Sequence, residues 1–157
     1  MIIAHRANLT GPDPTTENTL EQIQKVLETT EFYVEIDVWA TSEGSFYLGH
    51  DAPMIPISSS PYEYLDNPRF FIHAKNLLAL NLLVPRLTQA HIFSHDEDPV
   101  VLTYPKGYAW VYPGCPIDAR SICVMPERTP DAYSTEELVS CLGICTDYPF
   151  YFKSIPK

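Results

Sequence analysis

The chain has 157 residues, and 45% of them are apolar, which is enough for one domain spanning residues 1–157 with a sizeable core. Ten basic residues against 20 acidic ones give a formal net charge of -10. This balance argues against binding to nucleic acid or to an anionic membrane surface, because both reward clustered Lys and Arg. No apolar run approaches the roughly 20 residues of a transmembrane helix.

The four cysteines form no Cys-x-x-Cys pair, and the chain opens on the strand-like Ile2-Ile3-Ala4 rather than on a secretory signal. We interpret these cysteines as reduced thiols, which predicts a cytoplasmic protein. Two disulfides in a secreted domain, or a structural zinc, are the alternative interpretations.

Short apolar, β-branched or aromatic runs recur along the chain and predict strands. In chain order these runs cover residues 2–4, 32–39, 45–48, 70–74, 91–94, 100–104, 108–112, 122–125 and 142–146. Helices are predicted at 19–29, 76–84 and 134–141, and the first and third begin with capping-box patterns.

Helices between strands near both ends of the chain indicate a parallel sheet, because consecutive parallel strands need a crossover connection. We therefore predict an α/β fold, a shortened TIM-like (β/α) barrel. A full barrel typically needs about 250 residues, so several outer helices would have to be reduced to loops. The 15 prolines, many of them between residues 99 and 130, are consistent with such loops.

Strong polar residues stand at or near the ends of the first four predicted strands. They are His5, Arg6, Glu35, Asp37, His50, Asp51, His73 and Lys75. The carboxyl ends of the strands of a parallel barrel converge on one mouth, where such enzymes keep their active sites. The pattern therefore predicts a site at this mouth.

Glu35 and Asp37 are two residues apart on a strand and point to the same face. Two carboxylates on one face can bind a hard cation, although a strand with one exposed face has the same spacing. Burial of both charges without a cation or a basic partner would be costly. Arg6 and Lys75 are the candidate basic partners.

Four motifs in the first 51 residues, together with the end of the chain, resemble a known family. They are His5-Arg6, Glu17-Asn18-Thr19, Glu35-Ile36-Asp37-Val38 and Gly49-His50-Asp51, followed late in the chain by Thr146-Asp147-Tyr148-Pro149. In order and approximate spacing they resemble the signature of glycerophosphodiester phosphodiesterases and of the wider phosphatidylinositol-phospholipase-C-like group.

The resemblance implies a barrel in which His5 and His50 act as general base and acid. It also implies that Glu35 and Asp37 bind a divalent cation, usually magnesium or calcium, and that Arg6 and Lys75 contact the substrate phosphate. Glu17, Asn18 and Asp51 would support these groups. Phosphodiester cleavage needs proton removal, proton donation and positive charge on the phosphate oxygens, which such a site would supply.

The sequence departs from the family pattern at three positions. Ala7 and Thr16 replace a glycine and a proline, and His73-Ala74-Lys75 replaces a Glu-x-Lys pattern that carries the third metal carboxylate. As a ligand, His73 would favour manganese, zinc or iron over magnesium and calcium. Alternatively, an acid such as Asp96, Glu97 or Glu127 completes the coordination sphere, or the site binds metal weakly.

We expect a hydrolase acting on a glycerophosphodiester or a similar small or lipid-derived phosphodiester. Metal-independent phosphotransfer that gives a cyclic phosphate, and a non-catalytic phosphate-binding module on the same fold, are the alternatives. Four aromatic residues of the predicted strands line the substrate pocket or, more commonly for such residues, belong to the core. They are Trp39, Tyr108, Trp110 and Tyr112.

Overall fold

Ten strands form one mixed sheet that curls into a half-barrel in the computed structural model, which describes residues 1–57 and 60–155. The strands are β1 (Ile2–Ala4), β2 (Tyr33–Ala40), β3 (Phe46–Leu48), β4 (Ile55–Ile57), β5 (Phe70–Ala74), β6 (His91–Phe93), β7 (Val100–Leu102), β8 (Ala109–Val111), β9 (Ser121–Val124) and β10 (Gly143–Thr146). All nine predicted strand segments contain a strand, and β4 was not predicted.

The parallel strands lie side by side in the order β6-β5-β2-β1-β10-β9-β8 across the sheet. β7 pairs with β8 in the antiparallel direction. The carboxyl end of β2 pairs with β3, and β3 pairs with β4, both in the antiparallel direction. An isolated antiparallel bridge between Ile92 and Tyr104 links β6 to the β7–β8 connection, with two backbone hydrogen bonds of 2.8 and 2.7 Å.

The helices are short. They are α1 (Leu20–Thr29), α2 (Pro61–Leu65), α3 (Leu77–Leu83), α4 (Thr135–Ser140) and α5 (Pro149–Lys153), and side chains cap α1, α3 and α4. Thr19 and Asn76 cap α1 and α3 by accepting backbone N–H groups, and Ser134 forms a reciprocal capping box with Glu137. Within the described residues, no helix is long and apolar enough to cross a membrane.

The prediction of a TIM-like (β/α) barrel is wrong, because the fold is a mixed, curled half-barrel sheet with few helices. The chain between β6 and β9, residues 94–120, contains no helix. Its connections on either side of β7 are short, and a parallel crossover needs a dozen or more residues. β7 and β8 therefore pair as an antiparallel hairpin.

Two clusters of buried apolar side chains hold the sheet. The first packs α1 and α3 against β2 and β5, through residues such as Ile23, Val26, Ile36 and Leu83. The second cluster contains Ile3, Phe71, Phe93, Trp110, Ile122, Val124, Met125 and Cys145. Several of these residues also line a polar cleft, so the second core forms the floor of the candidate site.

Candidate active site

A cleft of about 290 Å³ collects the titratable residues that follow the parallel strands. Its polar lining residues are His5, Arg6, Glu35, Asp37, His50, His73, Lys75, His95, Asp96 and Arg128, with Tyr112 beside them. Four of the five histidines of the chain line this cleft. The cleft therefore concentrates imidazoles and cations in a chain whose net charge is strongly negative.

His5 is buried and held by Asp147. β1 and β10 are parallel neighbours with Ala4 opposite Thr146, so the residues that follow them lie side by side. His5 Nδ1 lies 2.8 Å from Asp147 Oδ1, and Asn8 donates to the same oxygen at 2.9 Å. Burial lowers the pKa of His5, but the hydrogen bond to Asp147 and the charges of Glu35 and Asp147 raise it overall.

The backbone after β1 bends sharply to aim Arg6 into the site. Arg6 and Ala7 have φ angles of 50° and 64°, so Ala7 takes a left-handed conformation that disfavours residues with a Cβ. This bend lets the Arg6 N–H donate to Glu35 Oε2 at 3.0 Å. It also lets the Arg6 carbonyl accept from the Asn18 N–H at 3.0 Å.

Glu35, Asp37 and His73 form a cluster whose ligand atoms lie within 4.8 Å of one another. The register of the parallel β2–β5 pair puts Asp37 opposite His73, and Asp37 Oδ1 lies 3.0 Å from His73 Nδ1. All three residues are buried. Two carboxylates and one imidazole at this spacing are a donor set that suits manganese, zinc or iron.

The two carboxylates of this cluster differ in their surroundings. Burial and the charge of Asp37 raise the pKa of Glu35 above its ordinary value. Burial would also raise the pKa of Asp37, but the hydrogen bond and charge of His73, with the nearby Lys75 and Arg6, hold it well below its ordinary range. A cation bound between the carboxylates would offset the cost of burying two like charges.

Three residues other than His73 surround Asp37. Asn18 donates its Nδ2 to Asp37 Oδ2 at 2.9 Å and accepts the Asp37 N–H at 3.0 Å. Arg6 Nε lies 3.4 Å from Oδ2, and Lys75 Nζ lies 3.5 Å from Oδ1. Arg6 also pairs with Glu17 at 3.1 Å, so the two cations predicted to contact phosphate are both paired with carboxylates.

His50 follows β3 and lies at a more exposed side of the cleft than His5. Its Nδ1 lies 2.7 Å from Asp51 Oδ1, and its side chain is 39% exposed. Burial, with the charges of Arg6 and Lys75, lowers the pKa of His50. The pKa values of the two imidazoles therefore shift in opposite directions, so that His5 favours the protonated form and His50 the neutral one.

His73 is also stacked on two other rings. Its imidazole stacks on His95 and Phe93 at centroid distances of 4.5 and 5.1 Å, and its Nε2 lies 3.3 Å from the His95 carbonyl oxygen. Among the acids considered as alternative ligands, Asp96 lines the cleft, whereas Glu97 and Glu127 are not among its lining residues.

Four contributors to the site were not among the predicted site residues: Asp147, Asn8, His95 and Arg128. Asp147 directly follows β10, and this is the same signal that identified the other strand-end residues. Asn8 and Arg128 lie in turns after β1 and β9, where the sequence alone does not reveal the direction of a side chain. Glu127 supports Asp147 by accepting its backbone N–H at 2.8 Å.

Comparison of the chain with known protein families, curated proteins and solved structures finds no match.

Proposed function

We propose that this protein hydrolyses phosphodiesters, with a glycerophosphodiester or a similar small or lipid-derived phosphodiester as substrate. The observation that carries the proposal is that one cleft is lined by His5, His50 and the cluster of Glu35, Asp37 and His73. General acid–base catalysis of phosphoryl transfer needs two proton-transferring groups beside a site that can bind phosphate.

The surroundings of the two histidines support a division of roles that is the reverse of the one the resemblance implies, in which His5 is the base and His50 the acid. His50, with its lowered pKa, is suited to accept a proton from the attacking water or hydroxyl. His5, whose protonated form is stabilised by Asp147, is suited to donate a proton to the leaving alkoxide. A divalent cation held by Glu35, Asp37 and His73 would supply positive charge to the phosphate oxygens.

A second candidate is metal-independent phosphotransfer, in which a hydroxyl of the substrate attacks and a cyclic phosphate is released. The surroundings of Asp37 favour this candidate, because Arg6, His73 and Lys75 all lie within 3.5 Å of its carboxylate oxygens. Arg6 and Lys75 are resident cations that can balance the buried carboxylate without a metal.

Hydrolysis of bis(4-nitrophenyl) phosphate, with and without a chelator, tests the proposal when combined with metal analysis of the purified protein. We expect activity that the chelator abolishes, and a loss of at least about 100-fold in His5→Ala and His50→Ala. His91→Ala is a matched control, because His91 is a buried histidine outside the cleft.

The product separates the two candidates. Phosphorus NMR of a glycerophosphodiester reaction would show a phosphate monoester for hydrolysis and a cyclic phosphate for phosphotransfer. Chelator-resistant formation of the cyclic product would favour the second candidate. A folded wild-type protein that turned over no phosphodiester under any metal condition would contradict both candidates and leave a phosphate-binding module.

A further inference from the structure

Arg128 differs from the other two cations of the cleft because its side chain is unpaired. Arg6 is paired with Glu17 and Asp37, and Lys75 is paired with Asp37. Within residues 1–57 and 60–155, the Arg128 guanidinium has no ion pair and no hydrogen bond. It nevertheless lines the cleft and is exposed to solvent. Arg128 is therefore available to an anionic ligand.

The turn that carries Arg128 is held by the residues around it. Met125 takes a left-handed conformation with φ of 43°, and the Arg128 N–H donates to the Met125 carbonyl at 3.0 Å. Glu127 Oε1 accepts the Thr146 hydroxyl and the Asp147 N–H, both at 2.8 Å. These bonds fix the turn after β9 to the end of β10, so the backbone at Arg128 is preorganised.

Arg128 follows β9, and β9 pairs with β10, after which Asp147 holds His5. Burial raises the pKa of Asp147, whereas its hydrogen bonds with His5 and Asn8 and the charges of His5 and Arg128 lower it overall. Glu127, the residue before Arg128, accepts the Asp147 N–H, so the turn that carries Arg128 is bonded to the residue that orients His5. An anion bound to Arg128 would share the cleft with the imidazole that we assign to proton donation.

We propose that Arg128 binds the non-bridging oxygens of the substrate phosphate, an inference that rests on the proposed phosphodiesterase function. The planar guanidinium matches two phosphate oxygens with parallel hydrogen bonds. Arg6 and Lys75 would have to give up carboxylate partners to make the same contact, and Arg128 would not. Arg128 thereby selects anionic phosphodiesters over neutral esters.

Titration of the metal-free protein with inorganic phosphate at fixed ionic strength tests this inference, together with KM and kcat for bis(4-nitrophenyl) phosphate. We expect Arg128→Gln to weaken phosphate binding and to raise KM by at least about tenfold, because charge-assisted hydrogen bonds are lost. Arg128→Lys should recover part of the phosphate affinity, since lysine keeps the positive charge but lacks the planar pair of N–H donors of the guanidinium.

Arg120→Gln is the matched control, because Arg120 is exposed, precedes β9 at its opposite end and does not line the cleft. This variant should bind phosphate as the wild type does. Phosphate affinity within twofold of wild type in Arg128→Gln would overturn the inference. An equal loss in both arginine variants would overturn it as well, because only the net charge would then matter.

The binding measurement does not depend on turnover, so the two proposals fail separately. Phosphate binding that requires Arg128, in a protein that cleaves no phosphodiester, would reject the proposed function and support the anion site. Cleavage that requires His5 and His50, with phosphate affinity and KM unchanged in Arg128→Gln, would reject the anion site and leave the proposed function.

Discussion

Asn18 should be a main determinant of both stability and metal affinity, because it holds Asp37 from two sides. β1 ends at Ala4, which lies opposite Val34, so β1 gives the Asp37 N–H no strand partner. Asn18 Oδ1 accepts this N–H, and Asn18 Nδ2 donates to the Asp37 carboxylate. Asn18 is itself buried and has φ of 55°, a conformation that Asn adopts more readily than most residues.

Two substitutions at position 18 separate the hydrogen bonds from the backbone conformation. A hydrogen bond to a charged group contributes about 1.5–3 kcal/mol and a neutral one about 0.5–1.5 kcal/mol, so Asn18→Gly should lower the free energy of unfolding by about 2–4.5 kcal/mol. Asn18→Ala should cost about 1 kcal/mol more, because alanine is strained at positive φ. Both variants should also weaken manganese binding by about 10–100-fold, since Asp37 loses its orienting partner.

Urea denaturation followed by tryptophan fluorescence measures the stability change, and calorimetric titration with manganese measures the affinity. Asn81→Ala is the control, because Asn81 is an exposed residue of α3. It should change the free energy of unfolding by less than about 0.5 kcal/mol. Stability within about 0.5 kcal/mol of wild type in Asn18→Gly would refute the assignment of Asn18 as the support of Asp37.

Three further predictions concern the cleft. In the metal-free protein, NMR titration should give His5 a pKa above the ordinary value of 6.5 and His50 a pKa below it; the reverse order would contradict the assigned proton-transfer roles. The double variant Glu35→Gln, Asp37→Asn should remain folded but lose binding of magnesium, calcium and manganese in calorimetric titration; unchanged affinity for every metal would make the pair structural. His73→Glu should raise magnesium or calcium affinity, because a third carboxylate adds a hard oxygen ligand. A lower melting temperature with no change in metal preference would remove His73 from the site.

The sequence was most informative about the strands, because their apolar runs are short and clearly bounded. β4 was missed since Ile55-Pro56-Ile57 is interrupted by proline, which sheets tolerate mainly on edge strands. Among the described residues, β4 pairs with β3 alone, so it is such an edge strand. α2 and α5 were missed because each has five residues, too few to display a helical period.

Within the site, the sequence predicted candidates at strand ends but could not predict their contacts. The opposition of Asp37 and His73 depends on the register of two strands that are far apart in the chain. The direction of the Arg6 side chain depends on two consecutive residues with positive φ. Neither residue is a glycine, so the residue types in that stretch do not indicate this backbone conformation. Pairing register and backbone direction are properties of the folded sheet, and they decide which side chains meet.

The predicted fold class was wrong, yet most of the predicted site residues line one cleft. The fold class and the position of these residues depend on different features of the chain. A (β/α) barrel requires a helix layer over the whole sheet, and the segment between β6 and β9 does not supply it. The part of the cleft that contains His5, Asp37, His73 and Asp147 requires that β10, β1, β2 and β5 be parallel neighbours, so that their carboxyl ends lie together. His5, Asp37, His73 and Asp147 all stand on or directly after these four strands. The outer helices can therefore be reduced without moving these side chains, provided that the central parallel pairs keep their register.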